Sequence, residues 1–183
     1  MIKSAASLAP ALLSEITALI VKLPPLPPVV RYFDDFSNET HSLRNLAESD
    51  DAILLLDGVR HSIDFTAFGP AERVIKHVVV DWLQRLDPHS VTSNCKNVRS
   101  YTSRRGIESV VHLITAPPFD TRAHWNTYVL SEVKADESWA LRAMLHSLCR
   151  LNIGHWTPSA ASIIRALKSP KVDKYRVVRA GDC

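Results

Sequence analysis

Residues 88–105 form a segment whose side chains are suited to contacting phosphate groups. The segment, PHSVTSNCKNVRSYTSRR, contains lysine and arginine but no aspartate or glutamate. Lysine and arginine neutralise phosphates, and short serine and asparagine side chains hydrogen-bond phosphate oxygens or base edges. Solvated surface helices normally mix charges of both signs, because like charges one turn apart repel each other. The composition therefore indicates a surface that faces a polyanion.

Helical geometry divides the side chains of this segment into two arcs, at roughly 100° per residue. The arc expected to face the core holds Val91, Cys95, Val98, Tyr101 and Thr102. The opposite arc, its margin and the end of the helix hold the candidate contacts, which are Ser93, Lys96, Asn97, Arg99, Ser100, Ser103, Arg104 and Arg105. We expect Lys96 and Arg104 to affect binding and to have little effect on stability. The alternative is an ordinary solvated helix that lacks acids by chance.

The charge of the chain is unevenly distributed along its length. The net charge of the 183 residues is +3, with 22 basic and 19 acidic side chains. Residues 1–64 hold 5 basic and 9 acidic side chains, a net charge of −4. Residues 65–183 therefore hold 17 basic and 10 acidic side chains, a net charge of +7. A basic region of this size favours a polyanionic partner, with a solvated basic face as the alternative.

Other kinds of chemistry find little support in the residues. There is no Gly-rich phosphate loop, no Gly-x-Ser-x-Gly and no His-Glu-x-x-His, so we expect no enzyme activity, although a small hydrolase with an unrecognised site stays open. The histidines lack ligand spacing, and we expect no metal and no cofactor. The histidines concerned are His77, His112, His124, His146 and His155.

The cysteines and the apolar N-terminal run indicate the cellular compartment of the protein. Cys95, Cys149 and Cys183 are odd in number and far apart, which argues against a disulfide framework and fits a reducing cytoplasm. The apolar run near the N-terminus is interrupted by Glu15 and is too short for a membrane span, so we expect no membrane partner.

The elements that position the basic segment are predicted to be mostly helical. An amphipathic helix precedes a proline cluster between residues 24 and 28, and AILLLDGVRHSIDF predicts a β-hairpin around Asp57-Gly58. Helical spacing runs from Pro70 to residue 86, and Asp87, Pro88 and Gly106 then bound the basic helix. Residues 107–119 are predicted to be a loop with a short turn. Further helices are expected from about residue 120, within ADESWALRAMLHSLCRLNIG, and within TPSAASIIRALKS.

The order of these pieces resembles the region that precedes the catalytic domain in tyrosine recombinases, the phage-integrase family. The resemblance covers residues 62–182 and is carried by SIDFTAFGPAERVIKHVVVDWLQRLDPHSVTSNCKNVRSY, by ESWALRAMLHSLCRLNIGHW and by IIRALKSPKVDKYRVVRAGDC. The family's catalytic arginine, His-x-x-Arg box and tyrosine nucleophile have no counterpart here. His89-Ser90 also replaces the Ser-Thr pair that the family often shows after the proline.

The residue patterns predict a mostly α fold in which an N-terminal helix and a small β-hairpin precede about four to five helices, and the resemblance implies that these helices form a core-binding (SAM-like) domain. The corresponding domains are an appendage at 1–66, a helical DNA-binding domain at 67–170 and a basic linker toward an absent catalytic domain at 171–183.

The function implied is duplex DNA binding by the non-catalytic part of a cytoplasmic, prokaryotic-type recombinase, with other protomers as possible partners. The expected contacts extend to Ser90 at the start of the helix and to the basic residues Lys168, Lys171, Lys174 and Arg176 near the end of the chain. The alternative is a helical module that binds another protein.

Overall fold

The computed structural model describes residues 8–33, 39–56 and 58–171. Its α-helices are α1 Pro10–Val21, α2 Arg44–Glu48, α3 Glu72–Arg85, α4 Pro88–Arg105, α5 Ile107–Thr115, α6 Pro118–His124, α7 Ala135–Leu151 and α8 Ala161–Arg165. Two 3-10 turns, Thr66–Ala71 and Pro158–Ala160, and a π-helical turn, Trp125–Val129, accompany them. The strands are β1 Val29–Val30, β2 His41–Ser42, β3 Asp51–Leu56 and β4 Val59–Asp64.

The mostly α class with a small hairpin is confirmed. Strands β3 and β4 pair antiparallel with Leu56 opposite Val59. Gly58 has a φ of +72°, which two-residue hairpin turns require and glycine adopts without strain. Ala52, Leu54 and Leu56 are buried while Ile53 is exposed, because successive side chains of a strand point to opposite faces. One face of the hairpin therefore packs on the helices.

The predicted loop at residues 107–119 is wrong. Residues Ile107–Thr115 form α5, and Val110, Val111, Leu113 and Ile114 are buried on it. The short run lacked a long apolar period and ended at two prolines, which favoured a loop. It is helical because its apolar face packs against α1, α4 and α7.

The core of the molecule is one contiguous cluster that runs from Ile16 on α1 to Leu167 after α8. Trp82, Trp125 and Trp156 are its largest fully buried side chains. Residues on both sides of the boundary predicted at 66/67 contribute to this cluster. The N-terminal segment therefore packs on the same core as the helices that follow it.

A buried carboxylate joins α3 to α7. Asp81 accepts hydrogen bonds from Ser147 at 2.8 Å and from Arg150 at 2.6 Å, both on α7, and from Arg85 at 2.9 Å on its own helix. Burial alone raises the pKa of Asp81, but these donors, Arg150 foremost, outweigh burial and hold the pKa below its ordinary value. The carboxylate is thus kept charged between the two helices.

Candidate nucleic-acid interface

Helix α4 has the boundaries and the buried arc that the sequence predicts. The Asp87 side chain accepts from the backbone N–H of Ser90 at 3.0 Å, Pro88 occupies the first turn, and the helix ends at Gly106. The hydrogen bonds from the hydroxyl and the backbone N–H of Ser90 lower the pKa of Asp87. The predicted core arc is confirmed, since the buried residues of α4 are Val91, Cys95, Val98, Tyr101 and Thr102.

The acids that α4 itself lacks are supplied by other elements. Arg99 lies 3.7 Å from Asp64 of β4, and Arg105 lies 3.4 Å from Glu132 in the turn before α7. Arg104 forms an ion pair with Glu137 of α7. Three acids therefore oppose the four cations Lys96, Arg99, Arg104 and Arg105, which leaves a net charge of +1 for this group (4 − 3).

Glu137 is the most buried of these acids, with 2% of its side chain exposed. Its carboxylate accepts from the Ser100 hydroxyl at 3.1 Å, from the backbone N–H of Lys134 at 2.9 Å and from the Arg104 guanidinium. The guanidinium of Arg104 also donates to the carbonyl of Glu132 at 2.9 Å. The carboxylate thus caps the start of α7 and holds it against α4. Ser100 and Arg104 belong to this junction between helices.

Some of the remaining predicted contact residues form hydrogen bonds within the protein, and others do not. The Ser90 hydroxyl donates to Asp87 at 2.6 Å, and the Asn97 amide donates to Ser93 at 3.4 Å. Within the described residues, the side chains of Lys96 and Ser103 have no hydrogen-bond partner or ion pair, and both residues are exposed. Lys168 and Lys171 are also exposed, whereas Lys174 and Arg176 lie outside the described residues.

The exposed strip of α4 consists of Ser93, Lys96, Ser100 and Ser103, with His89 at its start. All are at least partly exposed, and none is acidic. The strip runs between the side of α4 that contacts α7 and the side that faces β4. Apart from the Ser100 hydroxyl, which donates to Glu137, it is the part of the predicted outer arc that is open to a partner.

A cleft of about 350 Å³ separates α4 from β4. Sequence reasoning did not find this cleft, because its two walls are about 30 residues apart in the chain. Arg60, Ser62 and Thr92 were therefore not among the predicted site residues. The polar groups that line it are Arg60, His61, Ser62, Asp64, Thr92, Lys96 and Arg99.

The histidines do not assemble a metal centre in the part of the chain that the structure describes. No group of three or more His, Cys, Asp or Glu side chains there could hold a metal ion. The ring centroids of His112 and His124 lie 4.1 Å apart with the ring planes tilted by 42°, and burial, followed by the neighbouring His112, lowers the pKa of His124 to about 4. Cys95 and Cys149 are free and buried, and Cys183 lies outside the described residues.

Among the described helices, none is long and apolar enough to cross a membrane.

Comparisons with protein-family models, with curated proteins and with solved structures find no match to this chain. The resemblance to tyrosine recombinases therefore depends on the order and pattern of the sequence elements alone.

Proposed function

We propose that the chain binds duplex DNA and serves as the non-catalytic, N-terminal part of a tyrosine recombinase. The observation that carries the proposal is the exposed strip of α4, a continuous acid-free surface on one helix. It presents Lys96 and the hydroxyl groups of Ser93 and Ser103, and a helix lying against a DNA backbone uses such a mixture of lysine and hydroxyl groups. A cytoplasmic location follows from this function.

The ion pairs around α4 favour a weak interaction. Asp64, Glu132 and Glu137, which lie beside α4, are each paired with an arginine of the helix. The same pairs leave Lys96 as the α4 cation without an ion pair in the described part of the chain. Fewer phosphates are thus neutralised than the sequence of the helix alone indicates.

The proposal is tested by measuring the affinity of the whole chain for a duplex at several salt concentrations. Neutralisation of two to four phosphates gives a slope of log affinity against log salt of about −2 to −4. We expect this slope and no nicking of supercoiled plasmid. A salt response that is flat, or strand cleavage by the pure protein, contradicts the proposal.

The exposed aromatic side chains favour the alternative, a helical module that binds another protein. Phe119, Tyr128 and Trp139 are exposed to 86, 63 and 70% respectively. Aromatic residues are enriched at protein interfaces, although single exposed ones are also ordinary. If duplex binding is undetectable at low salt, this alternative becomes the better account.

A further inference from the structure

We propose that the cleft between β4 and α4 is a binding site for a phosphate group, with Arg60, Lys96 and Arg99 as its cationic ligands. The inference deepens the proposed function and rests on it in one respect. Under that function, the phosphate belongs to the backbone of the bound duplex. Free phosphate is the other source of the same chemistry.

The charges around the cleft are the first argument. Arg60 comes from the strand, and Lys96 and Arg99 come from the helix, while Asp64 is the single acid among the lining residues, so the lining carries a formal net +2 (3 − 1). Like charges that converge from two elements repel each other, and an anion between them removes that repulsion. The cleft is therefore electrostatically complementary to an anion.

The acid that lines the cleft is already engaged. Asp64 accepts from the backbone N–H of Thr66 at 2.9 Å, and its hydrogen bonds from the hydroxyl and N–H of Thr66 are the main cause of its lowered pKa. The separation of 3.7 Å between Arg99 and Asp64 is too long for a hydrogen bond. The guanidinium of Arg99 thus keeps its donors for a ligand. Arg60 and Lys96 have no ion pair within the described residues.

The floor of the cleft strengthens its attraction for an anionic group. Ile63, Phe68 and Cys95 are buried beneath it, and a floor poor in water strengthens the interaction of the cations with an anion. Burial raises the pKa of the Cys95 thiol to about 12, so the thiol adds no negative charge. The volume of about 350 Å³ lies at the small end of ligand sites.

The hydrogen-bond donors that the cleft offers to a phosphate are the side chains of its cations. The Ser62 hydroxyl donates to Asp51 at 2.7 Å, and the Thr92 hydroxyl donates to the carbonyl oxygens of Pro88 and His89. These hydroxyl protons are thus directed away from a ligand. Arginine guanidinium groups bind phosphate oxygens in pairs, and lysine adds a point charge. Phosphate recognition therefore depends on Arg60, Lys96 and Arg99.

The first arm of the test is a titration of the whole chain with inorganic phosphate, at constant ionic strength, followed by amide NMR. We expect saturable shifts in residues 60–64 and 92–99. Arg60→Gln should weaken this binding by about tenfold, because a charged hydrogen bond is lost. The matched control is Arg122→Gln, which removes an exposed arginine of α6 that does not line the cleft, and it should leave the binding unchanged.

The second arm measures duplex affinity against salt for the same variants. Arg60→Gln should reduce the slope by about 0.9 units, the contribution of one phosphate contact, and Arg122→Gln should not. A reduced slope for Arg60→Gln supports the site with the duplex as the source of the phosphate.

The two arms separate the failure of this inference from the failure of the proposed function. If phosphate binds and Arg60→Gln weakens it, while no duplex binds, the cleft is supported and the proposed function is contradicted. If the duplex binds with the same slope in Arg60→Gln and phosphate produces no saturable shift, the cleft proposal is overturned and the proposed function stands. Phosphate binding that Arg60→Gln leaves unchanged also overturns the cleft proposal.

Discussion

Arg104 and Lys96 lie on the same helix and carry the same charge, but their surroundings differ. The side chain of Arg104 is 34% exposed and contacts the buried carboxylate of Glu137, whereas Lys96 is exposed and has no ion pair in the described part of the chain. The expectation that both residues have little effect on stability therefore holds as a prediction only for Lys96. For Arg104 the contact with Glu137 favours a larger effect on stability, because a helical wheel of α4 alone does not show which residues of other elements lie opposite.

Arg104→Ala should destabilise the protein by about 1.5 to 3 kcal/mol. The change leaves the carboxylate of Glu137 buried without its cationic partner, and uncompensated buried charges are costly. Lys96→Ala is the matched control and should change the free energy of unfolding by less than about 0.5 kcal/mol. Urea denaturation measures both, and equal midpoints for the two variants contradict the assigned role of Arg104.

Val98→Ala tests the inner arc of α4. Val98 is buried with 1% of its surface exposed, so loss of its methyl groups should cost roughly 1 to 3 kcal/mol of stability. DNA affinity and salt slope of the folded fraction should be unchanged, because the side chain faces the core. A changed slope at full stability shows that α4 presents a different face to the duplex.

At the scale of elements, α5 and α6 bring the rings of His112 and His124 together. The ring planes of His112 and His124 are tilted by 42° with their centroids 4.1 Å apart, and the ring of Tyr128 lies 5.2 Å from that of His124. The pKa of His124 falls from 6.5 to about 4, chiefly because of burial and then because of His112. The folded state thus binds fewer protons than the unfolded state between these values.

Stability should fall as the pH is lowered from about 6.5 toward 4. The contribution of His124 is fully present above its unfolded pKa of 6.5 and is lost as the pH approaches the folded pKa of about 4. His124→Phe keeps an aromatic ring and removes the titration, so the stability lost between pH 7.5 and pH 5 should shrink by about 1 to 2 kcal/mol.

The measurement for this prediction is the urea midpoint of each protein at the two pH values. His77 and His146 also have lowered pKa values, with burial as the first cause, so part of the loss remains in the variant. Exposed His155 is the control position, and His155→Phe should leave the loss unchanged. An identical loss in His124→Phe and in the unaltered chain shows that His124 does not supply it.

At the scale of the whole molecule, α1 and the helices share one core, and Ile16 tests this. Ile16 is fully buried on α1, so Ile16→Ala should cost roughly 2 to 5 kcal/mol. Leu13→Ala on the same helix removes a side chain that is 44% exposed and should cost less than about 1 kcal/mol. Equal unfolding midpoints for the two variants, in thermal or urea denaturation, contradict the docking of α1.

Features that depend on local chemistry were predictable from the sequence. Asp87 and Gly106 bound α4 because capping and positive φ are properties of single residues, and the Asp57-Gly58 pair identified the hairpin. The buried arc of α4 followed from helical period alone. Helix α5 was missed because packing against neighbours, and not its own nine residues, stabilises it.

The features of the site that depend on tertiary contacts were not predictable. Glu137 is 33 residues from Arg104, and no local pattern joins them, although a glutamate at the third position of a helix is a known capping signal. The cleft needs β4 and α4 side by side, so Arg60 carried no signal beyond its place on an exposed strand face. The ion pairs with acids of β4, of α7 and of the turn before α7 account for three of the four cations of α4. The lack of acids on α4 itself was therefore consistent with acids on the elements opposite it.

The most direct test of DNA binding by the exposed strip of α4 is the salt dependence of duplex affinity for Lys96→Gln beside Arg122→Gln. Both variants lose one exposed cation, but only Lys96 lies on the strip. We predict that Lys96→Gln weakens binding and reduces the slope of log affinity against log salt by about 0.9 units, while Arg122→Gln retains the slope of the unaltered chain. If Lys96→Gln leaves both affinity and slope unchanged, α4 faces only water and the DNA-binding proposal is contradicted.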